Sequence, residues 1–202
     1  MGITTDSLKR LQNFGSLEKG KKILVCGCQN IYDNSFDGVT YGMIAQDYFN
    51  NQGIKATTID ITGCNGAYVI DLREEGILKQ FTEEGLFDVI ANHGTFEHID
   101  GKKGFYNAYR NIHNVCSHGG IMIHETPKTG HWIGHGQHYL TDEFYLGLAE
   151  KMGYKILDLC EHPAMGNTTD GVLVNCVLQK IETTAKDFIS FEEFSKLDFR
   201  ES

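Results

Sequence analysis

Positive charge is scarce in this chain: 18 Lys and Arg stand against 27 Asp and Glu, a formal net charge of −9. Phosphate-backbone binding is driven by clustered Lys and Arg. No such cluster exists beyond Lys19, Lys21 and Lys22, so a nucleic acid is not expected as the main partner. A small, neutral or cationic substrate suits the balance better. Long apolar runs are missing too, and the N-terminus has no apolar signal region, so neither a membrane partner nor export is expected. The six cysteines (Cys26, Cys28, Cys64, Cys116, Cys160, Cys176) include no zinc-type pair of CxxC knuckles. Several sit in apolar, strand-like runs, where a reduced thiol behaves as a small hydrophobe, and a reducing, cytoplasmic setting is expected. The complete GxGxxG of a nicotinamide site is absent after the first apolar run, which argues against a dehydrogenase. There is no internal repeat and no low-complexity segment.

What is present fits one α/β domain. A chain of 202 residues can bury about 70% of its unfolded surface without staples. Its 41% hydrophobic and 22% charged content is ordinary for a globular protein. Residues 4–14 read as a short amphipathic helix with Leu8, Leu11 and Phe14 on one side. Strand-like runs follow at 22–26, 54–61, 67–70, 87–91, 120–124, 154–160 and 172–178. Helical stretches at 42–51, 103–116 and 141–152 lie between them, with a brief one at 78–81. Gly53 closes the first of these and Thr141 caps the last. Strands alternating with helices imply a Rossmann-like, doubly wound α/β sheet of seven strands. The last two runs, joined only by a loop, imply an antiparallel C-terminal edge hairpin. The reading divides the chain into an N-terminal helical extension (1–20), the main domain (21–181) and an acidic, Phe-rich tail (182–202). In that tail Phe188, Phe191, Phe194, Leu197 and Phe199 are spaced as a helical stripe, packed on the domain or on a sister subunit in a homodimer.

The most informative stretch is 87–99, FDVIANHGTFEHI. The run Val89-Ile90-Ala91 reads as a strand buried on both faces. In open α/β sheets the ligand lies beyond the carboxyl ends of such strands, so Asn92, His93, Gly94, Glu97 and His98 would stand at a crevice mouth. This stretch resembles the fourth strand and following turn of class I S-adenosylmethionine-dependent methyltransferases, where an Asp-Val-Ile strand leads into Glu-His. The resemblance spans roughly residues 20–180 and is thinnest at the first glycine motif. There Val25 stands where the family has an acid, and Gln29 where it has a second glycine.

The resemblance implies S-adenosyl-L-methionine as cofactor and assigns residues to it. Gly27, Cys28 and Gln29 form the turn after the first strand, where glycine permits close backbone approach. Asp60, followed by Ile61, ends the second strand, placed to accept from both ribose hydroxyls; the competing reading is a simple turn cap. Asp71, followed by Leu72, matches the acid that accepts from the adenine amino group, or caps a helix starting at Arg73. Asn92, His93 and Gly94 would lie beside the methionine end. Glu97 reads as architectural in the wider family.

His98, His131 and His93 are the candidate catalytic groups, because an imidazole near its ordinary pKa can take a proton at neutral pH. His131, His135 and His138, with His124 and Glu125 just upstream, crowd the region after the fifth strand. Their HxxxH and HxxH spacings match no closed zinc set, and no metal is assigned. The expected function is methyl transfer to a small-molecule or sugar-like O or N acceptor. The alternatives are a catalytically inactive binding or interaction module of the same fold and, less favoured, a metal-dependent hydrolase built on the loop histidines.

Overall fold

Three apolar runs pair in parallel to make the middle of a seven-stranded sheet. The architecture comes from a computed structural model that describes residues 2–83, 85–163 and 171–201. The chain begins with helix α1 (Thr5–Asn13), strand β1 (Lys22–Cys26), a two-residue hairpin β2 (Asn30–Ile31) and β3 (Met43–Ile44), and helix α2 (Ala45–Asn51). Strands β4 (Lys55–Asp60), β5 (Tyr68–Val69) and β6 (Phe87–His93) follow, then α3 (Lys102–Val115), β7 (Cys116–Pro127) and β8 (His138–Leu140). The chain ends with α4 (Asp142–Met152), β9 (Lys155–Pro163), β10 (Val172–Gln179), α5 (Phe191–Phe194) and β11 (Phe199–Glu201). The sheet order is β5-β4-β1-β6-β7-β10-β9, with β10 antiparallel to both of its neighbours. This is the doubly wound sheet with an antiparallel edge hairpin that the strand pattern implies.

Two-residue alternation sends successive side chains to opposite faces, and both faces are covered. Ile23, Val25, Val89, Ala91 and Ile123 meet Leu8 and Leu11 of α1 and Phe49 of α2. Leu24, Cys26, Ile90, Met122 and Cys176 meet α3, α4 and the tail. Local chemistry fixes the helix starts. The Thr4 and Ser7 side chains each accept from the other's backbone N–H, a capping box for α1. The Thr141 hydroxyl accepts from Phe144 N at the start of α4.

Four expectations need correction. The helix expected from residue 42 starts at Ala45, because Met43–Ile44 pairs with Asn30–Ile31. Strands β6 and β7 run two and three residues past their expected ends, so Asn92, His93 and Glu125 belong to strands rather than loops. The tail is not one amphipathic helix: α5 is a single capped turn, and β11 pairs with β8. Its Phe188, Phe194, Leu197 and Phe199 pack on the domain's own α3 and α4, with Phe194 fully buried. Finally, Cys28 and Cys64 form a disulfide, so the expectation of reduced thiols holds only for Cys26, Cys116, Cys160 and Cys176. Among the described residues no helix is long and apolar enough to cross a membrane.

Candidate functional site

At the carboxyl edge of the sheet, β1 turns sharply at Gly27, whose φ of +84° lies in the left-handed region. A Cβ there would run into the Thr95 hydroxyl, so both backbone and packing require glycine. The Thr95 hydroxyl donates to Cys26 O at 2.7 Å, and the Gln29 side-chain amide donates to Thr95 Oγ1 at 3.2 Å. The turns after β1 and β6 are thereby tied together. In the adjacent strand, Asp60 Oδ2 accepts from Cys28 N at 2.9 Å, while Oδ1 accepts from Thr62 N and Oγ1 at 2.7 and 2.6 Å. Burial alone would raise the Asp60 pKa, but these donors hold it below the ordinary carboxylate value. Asp60 is therefore a turn cap as well as a group at the crevice. Asp71 accepts from the Arg73 backbone and guanidinium, which lowers its pKa; it begins no α-helix.

These turns enclose a cavity of about 340 Å3, a size that suits a nucleoside-like ligand. Gly27, Cys28 and Gln29 form one wall, Asp60 and Ile61 a second, and Asp71, Leu72 and Arg73 a third. Gly94, Thr95, His98 and Ile99 close the side towards α3. Thr95, Arg73 and Ile99 were not singled out from the sequence. Thr95 sits in the very turn that was, and its role becomes visible only when that turn meets Gly27.

Asn92 and His93, expected beside the cofactor, lie outside this lining. Both are strand residues of β6 and fully buried or nearly so. Asn92 faces His124 at 3.3 Å on one side of the sheet. His93 Nδ1 faces Glu125 Oε2 at 3.3 Å on the other, where the Ser7 hydroxyl also donates to that oxygen at 2.8 Å. Burial would raise the Glu125 pKa, but His93 and Ser7 bring it below the ordinary value. Burial pushes His124 down to about 3, leaving it neutral and stacked on Tyr109. His138 stacks on Phe105 in the core, 4.1 Å between ring centres. His131 takes part in the outer turn that follows β7, its N–H donating to Lys128 O, and lies outside the cavity lining.

From this loop His135 also stays outside the cavity lining, but it packs on His98, 4.9 Å between ring centres, which does line it. The loop between β7 and β8 folds over Glu97: Gln137 N donates to Glu97 O at 2.6 Å. A Cβ at Gly136 would lie 2.8 Å from that same oxygen, so only glycine passes there. The Tyr139 hydroxyl is the hub of the loop, accepting from His135 N and Gly136 N and donating to Trp132 O. It holds Trp132 at a φ of +54°, a costly conformation for a bulky residue. Beneath the loop, the Glu97 side chain is fully excluded from solvent. Its Oε1 lies 3.7 Å from His98 Nε2 and 3.9 Å from His135 Nε2. Burial pushes the Glu97 pKa up to about 8, and burial likewise pushes His98 and His135 below the ordinary imidazole value.

No family model matches the sequence, and no curated protein matches it. Its fold does match solved structures. The N-methyltransferase NodS from Bradyrhizobium japonicum WM9 superposes with a TM-score of 0.58 at 14% identity, over 88% of this chain and 96% of that one. The 1,6-didemethyltoxoflavin-N1-methyltransferase of Burkholderia thailandensis, solved with its substrate and S-adenosylhomocysteine, gives a TM-score of 0.54 at 12% identity, over 85% and 76% of the two chains. A putative hemolysin from Lactococcus lactis gives 0.56 at 16%, over 93% and 91%. The fold is that of the class I methyltransferases, and it hosts more than one function.

Proposed function

We propose that this chain, built on the class I methyltransferase fold, binds S-adenosyl-L-methionine in the cavity at the carboxyl edge and methylates a small-molecule or sugar-like O or N acceptor. The observation that carries the reading is the convergence of Gly27, Asp60 and Asp71 from the ends of β1, β4 and β5 on one cavity. The group fits the residues present: carboxylates held ionised suit ribose hydroxyls and an adenine amino group, and Ile61, Leu72 and Ile99 supply apolar contact for a purine. When bound, S-adenosylmethionine supplies an electrophilic methyl group on a sulfonium. The protein's own part is alignment. Asp60 orients the ribose, the Gly27 turn lets the backbone approach, and the Gly94-Thr95 turn brackets the side towards the acceptor. There His98, kept neutral by partial burial, lines the cavity wall and orients the acceptor.

We place the protein in the cytoplasm, where the disulfide between Cys28 and Cys64 would be of the reversible kind. Since most of the tail's apolar side is covered by the domain itself, we assign the site to a single chain rather than to a tail-mediated homodimer. Isothermal calorimetry with S-adenosylhomocysteine tests the reading. One-to-one binding is expected, and Asp60→Ala should weaken it tenfold or more. No heat at millimolar ligand ends the proposal.

A further inference from the structure

Glu97 poses a chemical question that methyl transfer does not answer. Its carboxylate is fully buried, and neither oxygen has a hydrogen-bond partner. Two imidazoles stand over it, His98 from the same 3₁₀ turn and His135 from the loop before β8. Their Nε2 atoms are 3.7 and 3.9 Å from Glu97 Oε1, too far for hydrogen bonds. His135 Nε2 is itself unpartnered, and the three donor atoms all lie within 4.8 Å of one another. Two donors at about 2.1 Å from a tetrahedral ion stand roughly 3.4 Å apart. The carboxylate-to-imidazole spacings exceed that by only a few tenths of an ångström.

We infer that Glu97, His98 and His135 form a site for one divalent transition-metal cation of the zinc class, with an open position on the acceptor side of the cavity. Two imidazoles and one carboxylate are the donor set that suits zinc, manganese or ferrous iron better than magnesium or calcium. The site is built rather than accidental. The loop carrying His135 is pinned by Gln137 N on Glu97 O and by the Tyr139 hydroxyl on His135 N and Gly136 N. Three protein donors leave coordination positions free, as catalytic sites do and structural ones do not. Of the three, His98 lines the cavity, so an ion held there would adjoin the space proposed for the acceptor. The acceptor class follows: a compound offering an oxygen donor to the cation, such as a phenol, a catechol or a vicinal hydroxy acid. This acceptor assignment rests on the methyltransferase reading; the cation site does not.

The test begins with full-length protein stripped by a chelator and dialysed, then titrated with zinc chloride by calorimetry, with metal content read by elemental analysis. One equivalent of zinc per chain is expected. Glu97→Gln and His135→Ala should each lower zinc affinity tenfold or more, while His131→Ala, outside the set, should leave it unchanged. His135→Ala alters a partly exposed loop side chain, so circular dichroism should show it folded even if Glu97→Gln is not. Substoichiometric zinc, or wild-type affinity in His135→Ala, or an equal loss in His131→Ala, overturns the inference. S-adenosylhomocysteine titrations on the same samples separate the two readings. Cofactor binding without zinc removes only the cation site, and zinc without cofactor binding removes only the methyltransferase assignment.

Discussion

A single glycine joins the first strand to the site. Gly27 adopts a positive φ and leaves no room for a Cβ beside Thr95. Gly27→Ala should therefore cost about 2 kcal/mol or more, combining backbone strain with loss of the Thr95 hydrogen bond to Cys26 O. Gly20→Ala is the control: its φ is +90° but nothing lies near its would-be Cβ, so only strain should be felt. Urea unfolding of both variants reads the difference, and equal losses would remove the packing argument. At this scale the sequence was partly readable. The types at 27, 60 and 71 could be placed because each ends an apolar run. The withdrawal of His93 into the sheet could also have been anticipated, because two-residue alternation in a sheet covered on both faces buries whatever polar residues continue the strand. Which loop histidine would turn inward had no such signal. His131 and His135 share a glycine-rich segment without periodicity, and the Tyr139 hydroxyl decides between them.

Element pairings divide into those with local cues and those without. The parallel strands were visible as apolar runs, and the edge hairpin as two runs in succession. The pairing of β8 with β11 joins residues 60 positions or so apart, and β2 with β3 involves two residues each, so neither leaves a pattern to read. The disulfide belongs here as well, since cysteine spacing alone does not give connectivity. It ties the turn after β1 to the turn after β4, on either side of Asp60, across a sequence separation of 36. Denatured, unreduced protein should titrate four thiols, and six after reduction. Closing a loop of this length stabilises by roughly 3–4 kcal/mol on the chain-entropy account. Cys28→Ser with Cys64→Ser should lower the melting temperature accordingly and weaken S-adenosylhomocysteine binding severalfold. An unchanged melting temperature would show that the bond constrains little.

Over the whole molecule, buried titrating groups set how stability responds to acid. His113, hydrogen-bonded to the Tyr154 hydroxyl, is pushed by burial down to about 4, and His124 to about 3. Both are charged in the unfolded chain below about 6.5, so the unfolded state binds more protons and stability falls as pH drops from there towards 4 and 3. For His113 the full effect is on the order of 3 kcal/mol. Glu97, raised to about 8, acts oppositely: in chelated protein, stability declines as pH rises from the ordinary carboxylate range through 8. The two slopes predict a maximum near pH 6.5. Urea midpoints at pH 5, 6.5 and 8 measure it, and a flat profile would contradict both assignments.

The short C-terminal strand has a practical consequence. Arg200 of β11 lies opposite Tyr139 of β8, the residue whose hydroxyl organises the loop over Glu97. Residues 199–201 thus brace the strand whose Tyr139 organises that loop. A change made in β11 should therefore be felt at His135, far away in the sequence, through Tyr139.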